Sequence, residues 1–318
     1  MKPWLWIVLV LVLVLLGGFW GICHQIGSRF LRNLRHKKPG DKFNEDIDVS
    51  FYLNGPLPKL AREGVAYMET LPHEDVYITS EDGLRLHATL FPAPGGAADY
   101  VVGIHGFQSR AWQEYAPHIA FYQSIGFGML LPDDRGHGQS EGEYATMGVK
   151  DRRDCICWVK YLAERFGEQT RVLLHGVSMG GATVLSASGE ADLPAQVLGV
   201  VSDCGFTSPR ESFACQIRSL YNIPPQFPVL VSQWYAKHRA HFDFTEAQPI
   251  DQVRHAKVPI LFIQGARDIM VPEFMAHKLY EACSGRKQLL IVPEANHAES
   301  IAYDPQGYRQ AIRDLFRI

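Results

Sequence analysis

The hydrophobic pattern changes character twice along the chain. Trp4 to Cys23 reads WLWIVLVLVLVLLGGFWGIC, an apolar run without a charge. At a rise of about 1.5 Å per residue, a helix of this length crosses a hydrocarbon core of about 30 Å. Trp4, Trp6 and Trp20 sit near its ends, where indole rings favour the membrane interface. A cleaved signal peptide has a shorter apolar core, about 7–15 residues, followed by a small-residue cleavage site. Neither feature is present, and Ile22 before Cys23 argues against a lipoprotein signal. The pattern therefore predicts one transmembrane anchor over residues 1–23.

Residues 24–72 lose that pattern. They are charged and carry Pro39, Gly40, Pro56 and Pro58. We expect a basic juxtamembrane stalk and linker, with a short helix around Leu57 to Thr70. From residue 73 to 318 the pattern is that of a folded domain. Val76–Thr79 and Leu84–Leu90 read as two strands joined by a hairpin at Glu81-Asp82-Gly83, since glycine accepts positive φ. Apolar runs then follow at Tyr100–Ile104, Gly128–Leu131, Arg171–His175, Val197–Ser202, Pro259–Ile263 and Gln288–Val292. Continuous runs of this length suit strands buried on both faces of a parallel sheet. Between them, Cys155, Trp158, Val159, Leu162 and Phe166 recur at helical spacing, as do Tyr308, Ile312 and Phe316. Early antiparallel strands followed by repeated β–α units predict an α/β fold, a mostly parallel eight-stranded sheet with helices on both faces.

One connection is too long for a simple loop. Residues 205–255 are rich in aromatics and proline, among them Phe206, Phe213, Tyr221, Phe227, Trp234 and Phe244. The usual α/β connection has about 2–6 residues. An ordered insertion at the carboxyl edge of a sheet predicts a helical cap over a site.

Composition narrows the chemistry. The 318 residues carry 31 Lys+Arg against 34 Asp+Glu. A near-neutral chain is a poor candidate for nucleic-acid binding, which needs a basic face. The 6 cysteines contain no C-x-x-C, which disfavours both a disulfide framework and a structural zinc. Arg29, Arg32, Arg35, Lys37 and Lys38 follow the anchor, against Lys2 before it, so the positive-inside rule places the domain in the cytoplasm. Unpaired cysteines fit that reducing compartment.

The chemical signal is Gly176-Val177-Ser178-Met179-Gly180, between the strand Arg171–His175 and a helix-like stretch from Gly181. G-x-S-x-G in this context is a sharp turn that lifts a serine above the sheet. It leaves the Met179 N–H at a helix N-terminus, aimed where negative charge would develop. Alone, the string is weak, since a tight turn can contain serine by chance.

With the rest of the pattern, the chain from Asp75 to Phe316 resembles the α/β-hydrolase fold superfamily, in particular bacterial membrane-anchored serine aminopeptidase-like and YqkD-like hydrolases. The resemblance implies a Ser–acid–His triad in that chain order. Gly265-Ala266-Arg267-Asp268-Ile269-Met270-Val271-Pro272, after the next-to-last strand, assigns the acid to Asp268, with Asp203 as the competitor. His297, after the last strand, is the histidine among the 13 in the chain. The loop His105-Gly106-Phe107 implies the Phe107 N–H as partner to Met179 in the oxyanion hole. His105 and the turn Asp133-Asp134-Arg135-Gly136-His137-Gly138-Gln139-Ser140 are expected to brace loops. His238 and His241 could share a helix face but lack an acidic partner, so no metal or cofactor is assigned.

These readings converge on a membrane-anchored serine hydrolase. The aromatic cap suggests an apolar acyl substrate, the anchor suggests a lipid-like one, and a carboxylic ester is the first choice. Peptidase, thioesterase and acyltransferase chemistry use the same parts. A non-catalytic, membrane-tethered interaction protein would be favoured by loss of a triad residue, and none is lost. Haloalkane-type chemistry would need an acid at position 178.

Overall fold

Strand faces explain why the core strands read as unbroken apolar runs. In the computed structural model, which describes residues 3–36 and 55–318, eight strands form one sheet. They are β1 (Glu74–Thr79), β2 (Arg85–Phe91), β3 (Asp99–Ile104), β4 (Gly128–Pro132), β5 (Arg171–Val177), β6 (Val197–Asp203), β7 (Ile260–Gly265) and β8 (Lys287–Val292). Their order is β1-β2-β4-β3-β5-β6-β7-β8. The β1–β2 and β2–β4 pairs are antiparallel, and every later pair is parallel.

Side chains alternate across this sheet, and both faces are covered. Val102, Leu130, Leu174, Val200, Ile260 and Phe262 join one buried cluster with the helices α4 (Asp151–Phe166), α5 (Met179–Ser188) and α9 (Phe274–Ala282). Val101, Met129, Leu173, Val201, Leu261 and Ile263 join the other with α2 (Leu57–Met68), α3 (Ala111–Ser124) and α10 (Pro305–Phe316). Each such side chain contributes about 1.5–3 kcal/mol on burial. A polar residue on either face would forfeit that, so neither face tolerates the alternation of a half-exposed strand.

Between β6 and β7 stand α6 (Pro209–Tyr221), α7 (Gln226–Arg239) and the short α8 (Pro249–Gln252). Ser208 starts α6: its hydroxyl accepts the Glu211 N–H at 3.1 Å, and Pro209 occupies the first turn. Asn222 ends it in the left-handed region, φ 50°. α7 stops at Arg239, so His241, expected to share a helix face with His238, lies beyond the helix.

The N-terminal helix α1 spans Pro3–Leu34. Among the described residues it is the one helix long and apolar enough to cross a membrane. It does not give way to an irregular stalk at residue 24. Residues 24–34 continue it by about 16 Å, and Gly27, Phe30 and Leu34 are buried on one face. Phe30 packs edge-on against Phe213 and Phe244 of the cap region, at ring-centroid distances of 5.3 and 6.0 Å. The Ala145 N–H donates to the Leu34 carbonyl at 2.8 Å, and the His36 N–H donates to the Glu143 carbonyl at 2.8 Å. Residues 37–54 of the expected linker lie outside the described residues. The expected short helix is α2.

Candidate active site

Backbone crowding at the end of β5 dictates the residue types around Ser178. A Cβ on Gly176 would lie 2.1 Å from the Gly180 carbonyl oxygen, and one on Gly180 would lie 1.9 Å from the Ile104 carbonyl oxygen. Neither contact is possible for a real side chain, so both positions require glycine. Ser178 itself takes φ 56°, ψ −113°, a strained conformation that L residues rarely adopt. Its amide N–H donates to the Asp203 carbonyl at 2.8 Å, which ties the turn to the neighbouring strand. The geometry lifts the hydroxyl off the carboxyl end of the sheet.

That hydroxyl meets His297. Ser178 Oγ is 2.8 Å from His297 Nε2, and His297 Nδ1 is 2.7 Å from Asp268 Oδ2. Asp268 is buried, and both of its oxygens are occupied. Oδ1 accepts the N–H groups of Met270 and Val271, each at 2.8 Å. Oδ2 accepts Gln264 Nε2 at 3.0 Å in addition to the imidazole. The loop after β7 thus presents one carboxylate oxygen to the ring and anchors the other on backbone.

Asp203 occupies a different place. It stands at the end of β6, its carbonyl on the Ser178 N–H, while Asp268 takes Nδ1 of the ring. Burial pushes the Asp203 carboxyl up to about 7, although the Tyr308 hydroxyl hydrogen bond acts in the opposite direction.

The two expected oxyanion donors flank the serine. Met179 is the first residue of α5, where amide N–H groups have no acceptor within the helix. The Phe107 loop runs beside Ser178: a Cβ on Gly106 would lie 3.4 Å from the Ser178 Cβ. Several groups hold this loop. The Gly106 N–H donates to Glu114 Oε2 at 3.0 Å, and the Gln108 N–H donates to His137 Nε2 at 3.1 Å. The Gln108 side-chain amide donates to the Asn33 carbonyl of α1. His137 accepts as a neutral ring, because burial drives its pKa down to about 3. His105 accepts the Asp134 N–H at Nε2, 3.1 Å away. Arg135, in the same turn, forks onto both oxygens of Asp154 at 2.6 and 2.7 Å and both of Asp82 at 2.8 and 3.0 Å.

Glu114 and Gln264 escaped the sequence reading. Burial raises the Glu114 carboxyl above its ordinary range. The signal for both lies in how the chain folds back: Glu114 reaches the loop before its own helix, and Gln264 the loop after its own strand. Below the turn, His175 bridges the Tyr122 and Tyr308 hydroxyls at 3.0 and 2.9 Å. Burial holds its pKa well below the usual histidine value, so it is a neutral bridge.

Cys204, Asp268 and His297 bring potential metal-ligating atoms within 4.8 Å of one another. Both ring nitrogens of His297 already face Ser178 and Asp268. Burial pushes the Cys204 thiol up to about 12, so it stays protonated. Metal ligation needs the thiolate, so the donor set suits proton transfer better than metal binding.

A cavity of about 740 Å³ opens over Ser178 and His297. Its walls come from the Phe107 loop, the cap and the inner end of α1, including Phe107, Phe213, Ile217, Ile26 and Phe30. The volume is within the range of about 300–1,000 Å³ usual for small-molecule sites.

Comparison with known proteins places this architecture. The model of the prolyl oligopeptidase family matches residues 113–317. The YqkD protein of Bacillus subtilis is 26% identical over 229 residues, covering 70% of this chain and 72% of that protein. The membrane protein YNL320W of Saccharomyces cerevisiae is 31% identical over 198 residues, covering 61% of this chain and 62% of its own. Among solved structures, an esterase of Pyrococcus furiosus superposes with a TM-score of 0.65 at 21% identity, over 89% of this chain and 97% of the other. At that identity the superposition speaks to fold. The family match covers more than half of the sequence, so this chain belongs to the prolyl oligopeptidase family and, with it, to the α/β-hydrolase superfamily.

Proposed function

We propose that this hydrolase is a membrane-anchored serine hydrolase that cleaves acyl substrates, carboxylic esters first, through Ser178, His297 and Asp268. The observation that carries the reading is the unbroken hydrogen-bonded line from Ser178 Oγ through His297 to Asp268, at 2.8 and 2.7 Å. In the reaction, Ser178 Oγ attacks the carbonyl carbon as His297 Nε2 takes its proton. Asp268 holds the proton on Nδ1 and stabilises the imidazolium. The Phe107 and Met179 N–H groups receive the oxyanion; one such donor is worth about 10²–10³ in rate. The tetrahedral intermediate collapses, and His297 gives its proton to the departing alcohol. Water, deprotonated by His297, then attacks the acyl-enzyme and releases the acid and free Ser178.

The apolar walls of the cavity support an apolar acyl group, and the likeness to an esterase fold is consistent with an ester. Membership of the prolyl oligopeptidase family favours a second reading, hydrolysis of an acyl amide by the same steps. The apolar helix α1 and the relative named as a membrane protein support an anchor. The cations after the span support a cytoplasmic hydrolase domain.

Labelling of detergent-solubilised protein by a fluorophosphonate, alongside turnover of p-nitrophenyl esters and peptide anilides, tests the reading. Labelling that disappears in Ser178→Ala, with ester turnover, is expected. Turnover of anilides alone would move the assignment to the amide reading. Unchanged labelling of Ser178→Ala would remove Ser178 as the nucleophile.

A further inference from the structure

Three contacts register the cap against α1. The Phe19 ring lies 5.0 Å from the Phe227 ring. His24 Nδ1 is 3.3 Å from the Tyr235 hydroxyl. Gly27 sits so close to Tyr235 that a Cβ there would come within 2.2 Å of its ring. Helix α7 therefore runs beside α1 in the same direction, with residue 227 level with residue 19 and residue 235 level with residues 24–27. Phe19 lies inside the uncharged run, which continues to Cys23, about 6 Å further along the helix. The start of α7 consequently stands at the depth of the end of the apolar span, and Tyr221 of the adjoining corner lies beside Arg29, just past it.

The corner is built for that depth. No charged residue occurs between Arg218 and Lys237. Leu220, Tyr221, Ile223, Leu230 and Trp234 are exposed there, Leu230 to 60%. A cluster of exposed apolar side chains on one corner marks an interaction surface. Cations bracket this run: Arg218 and Lys237 on the cap, Lys237 paired with Asp243 at 2.7 Å, and Arg29 of α1, whose guanidinium lies 5.9 Å from the centre of the Tyr221 ring. Interfacial helices bury their apolar faces by about 5–10 Å, which matches the depth given by Phe19. The corner also reaches the catalytic cavity: Leu220, Tyr221 and Ile223 from the cap and Ile26 from α1 line the space that holds Ser178 and His297.

We infer that the α6–α7 corner is immersed in one leaflet of the bilayer, and that the cavity lined by its α6 side and by α1 admits a membrane-resident, long-chain acyl ester to Ser178. This deepens the ester-hydrolase reading above and rests on it for the reaction. It does not rest on it for the topography. Continuity of the corner with α1 makes the membrane its occupant, in preference to a soluble partner protein. The acyl chain passes from the leaflet into the apolar cavity without crossing water, and its carbonyl arrives at the carboxyl end of the sheet.

The test uses the full chain in phosphatidylcholine vesicles. 4-Methylumbelliferyl oleate, which partitions into the bilayer, is compared with water-soluble 4-methylumbelliferyl acetate, for the parent and for Leu230→Glu. The parent is expected to hydrolyse both, and the oleate-to-acetate activity ratio is expected to fall at least tenfold in Leu230→Glu. An unchanged ratio overturns the inference. A second measurement reads topography without turnover: photolysis of a phosphatidylcholine carrying a diazirine in its acyl chain, with the full-length Ser178→Ala variant. Label in the tryptic peptide from residue 219 to 237 is expected, and label confined to α1 overturns the inference. Cap labelling with neither ester hydrolysed would leave the membrane entrance standing and sink the ester reading. Acetate hydrolysis with an unlabelled cap would do the reverse.

Discussion

Replacing Asp268 by asparagine separates the tautomer from the charge, because the two carboxylate oxygens have different partners. Oδ1 accepts two backbone N–H groups, from Met270 and Val271. Oδ2 accepts Gln264 Nε2 and faces His297 Nδ1. In Asp268→Asn the amide oxygen belongs at Oδ1, since only an acceptor satisfies two N–H donors. The amide NH₂ then faces the ring and donates to Nδ1. The ring proton moves to Nε2, where it points at Ser178 Oγ and cannot take the serine proton. The flipped amide would restore the active tautomer but would oppose both backbone donors. It relieves one Gln264 donor and strands two others, so it is disfavoured by about one buried hydrogen-bond donor, about 1–3 kcal/mol. The productive orientation is therefore reduced by about 5–150-fold. Loss of the negative charge beside the forming imidazolium adds to this, and the same substitution in a Ser–His–Asp triad costs about 10⁴ in kcat. We expect kcat for a p-nitrophenyl ester to fall by about 10³–10⁴ with KM little changed. Asp203→Asn, whose side chain does not take Nδ1, is expected to cost less than about tenfold. Burst titration keeps the count of active sites honest in both variants. A fall below tenfold in Asp268→Asn, or a larger one in Asp203→Asn, would refute this account of the proton's position.

Two further expectations concern stability. Leu34 is 1% exposed and packs with Met147, Val149, Met179 and Phe244; Leu34→Ala is expected to cost about 2–5 kcal/mol, read as a lowered thermal midpoint in detergent, and no shift would mean that α1 is merely tethered to the domain. Asp243 accepts Lys237 Nζ at 2.7 Å and the Thr245 N–H at 3.1 Å, and these bonds, the lysine first, hold its carboxyl down to about 2. Its folded pKa lies below the unfolded value of about 3.9, so the folded state binds fewer protons and the stabilisation is complete above about pH 4. Asp243→Asn should therefore melt about 1–3 °C below the parent at pH 7, the gap closing as pH falls toward about 2; a gap independent of pH would exclude this carboxylate as its source.

Some of this molecule is written locally. The strands were legible because both sheet faces are buried, which leaves continuous apolar runs in place of alternation. The turn at Ser178 was legible because the backbones of Ile104 and Gly180 exclude any side chain at positions 180 and 176. Asp268 and His297 were marked by their places after β7 and β8, and the fold brings them into hydrogen-bond contact with each other and with Ser178. The apolar run from Trp4 to Cys23 declared itself by length alone.

Other features depend on how separate segments meet in the folded chain. Asp203 ends β6 and Asp268 lies in the loop after β7, and sequence left them as rivals. The loop after β7 turned only Asp268 toward Nδ1. Glu114 and Gln264 look like ordinary surface-capable residues until the Gly106 N–H and the Asp268 carboxylate are set beside them. The largest departure is the inner third of α1. Ile26, Phe30 and Leu34 recur at helical spacing, but Arg29, Arg32 and Arg35 are interleaved, and the stretch read as a solvated stalk. An amphipathic helix shows which face is buried only when the surface it meets is known. That surface is assembled from the cap and the residue 142–149 loop, so the sequence determined an apolar helix long enough to cross a membrane and a hydrolase domain, and only the tertiary structure made the end of that helix a wall of the cavity over Ser178.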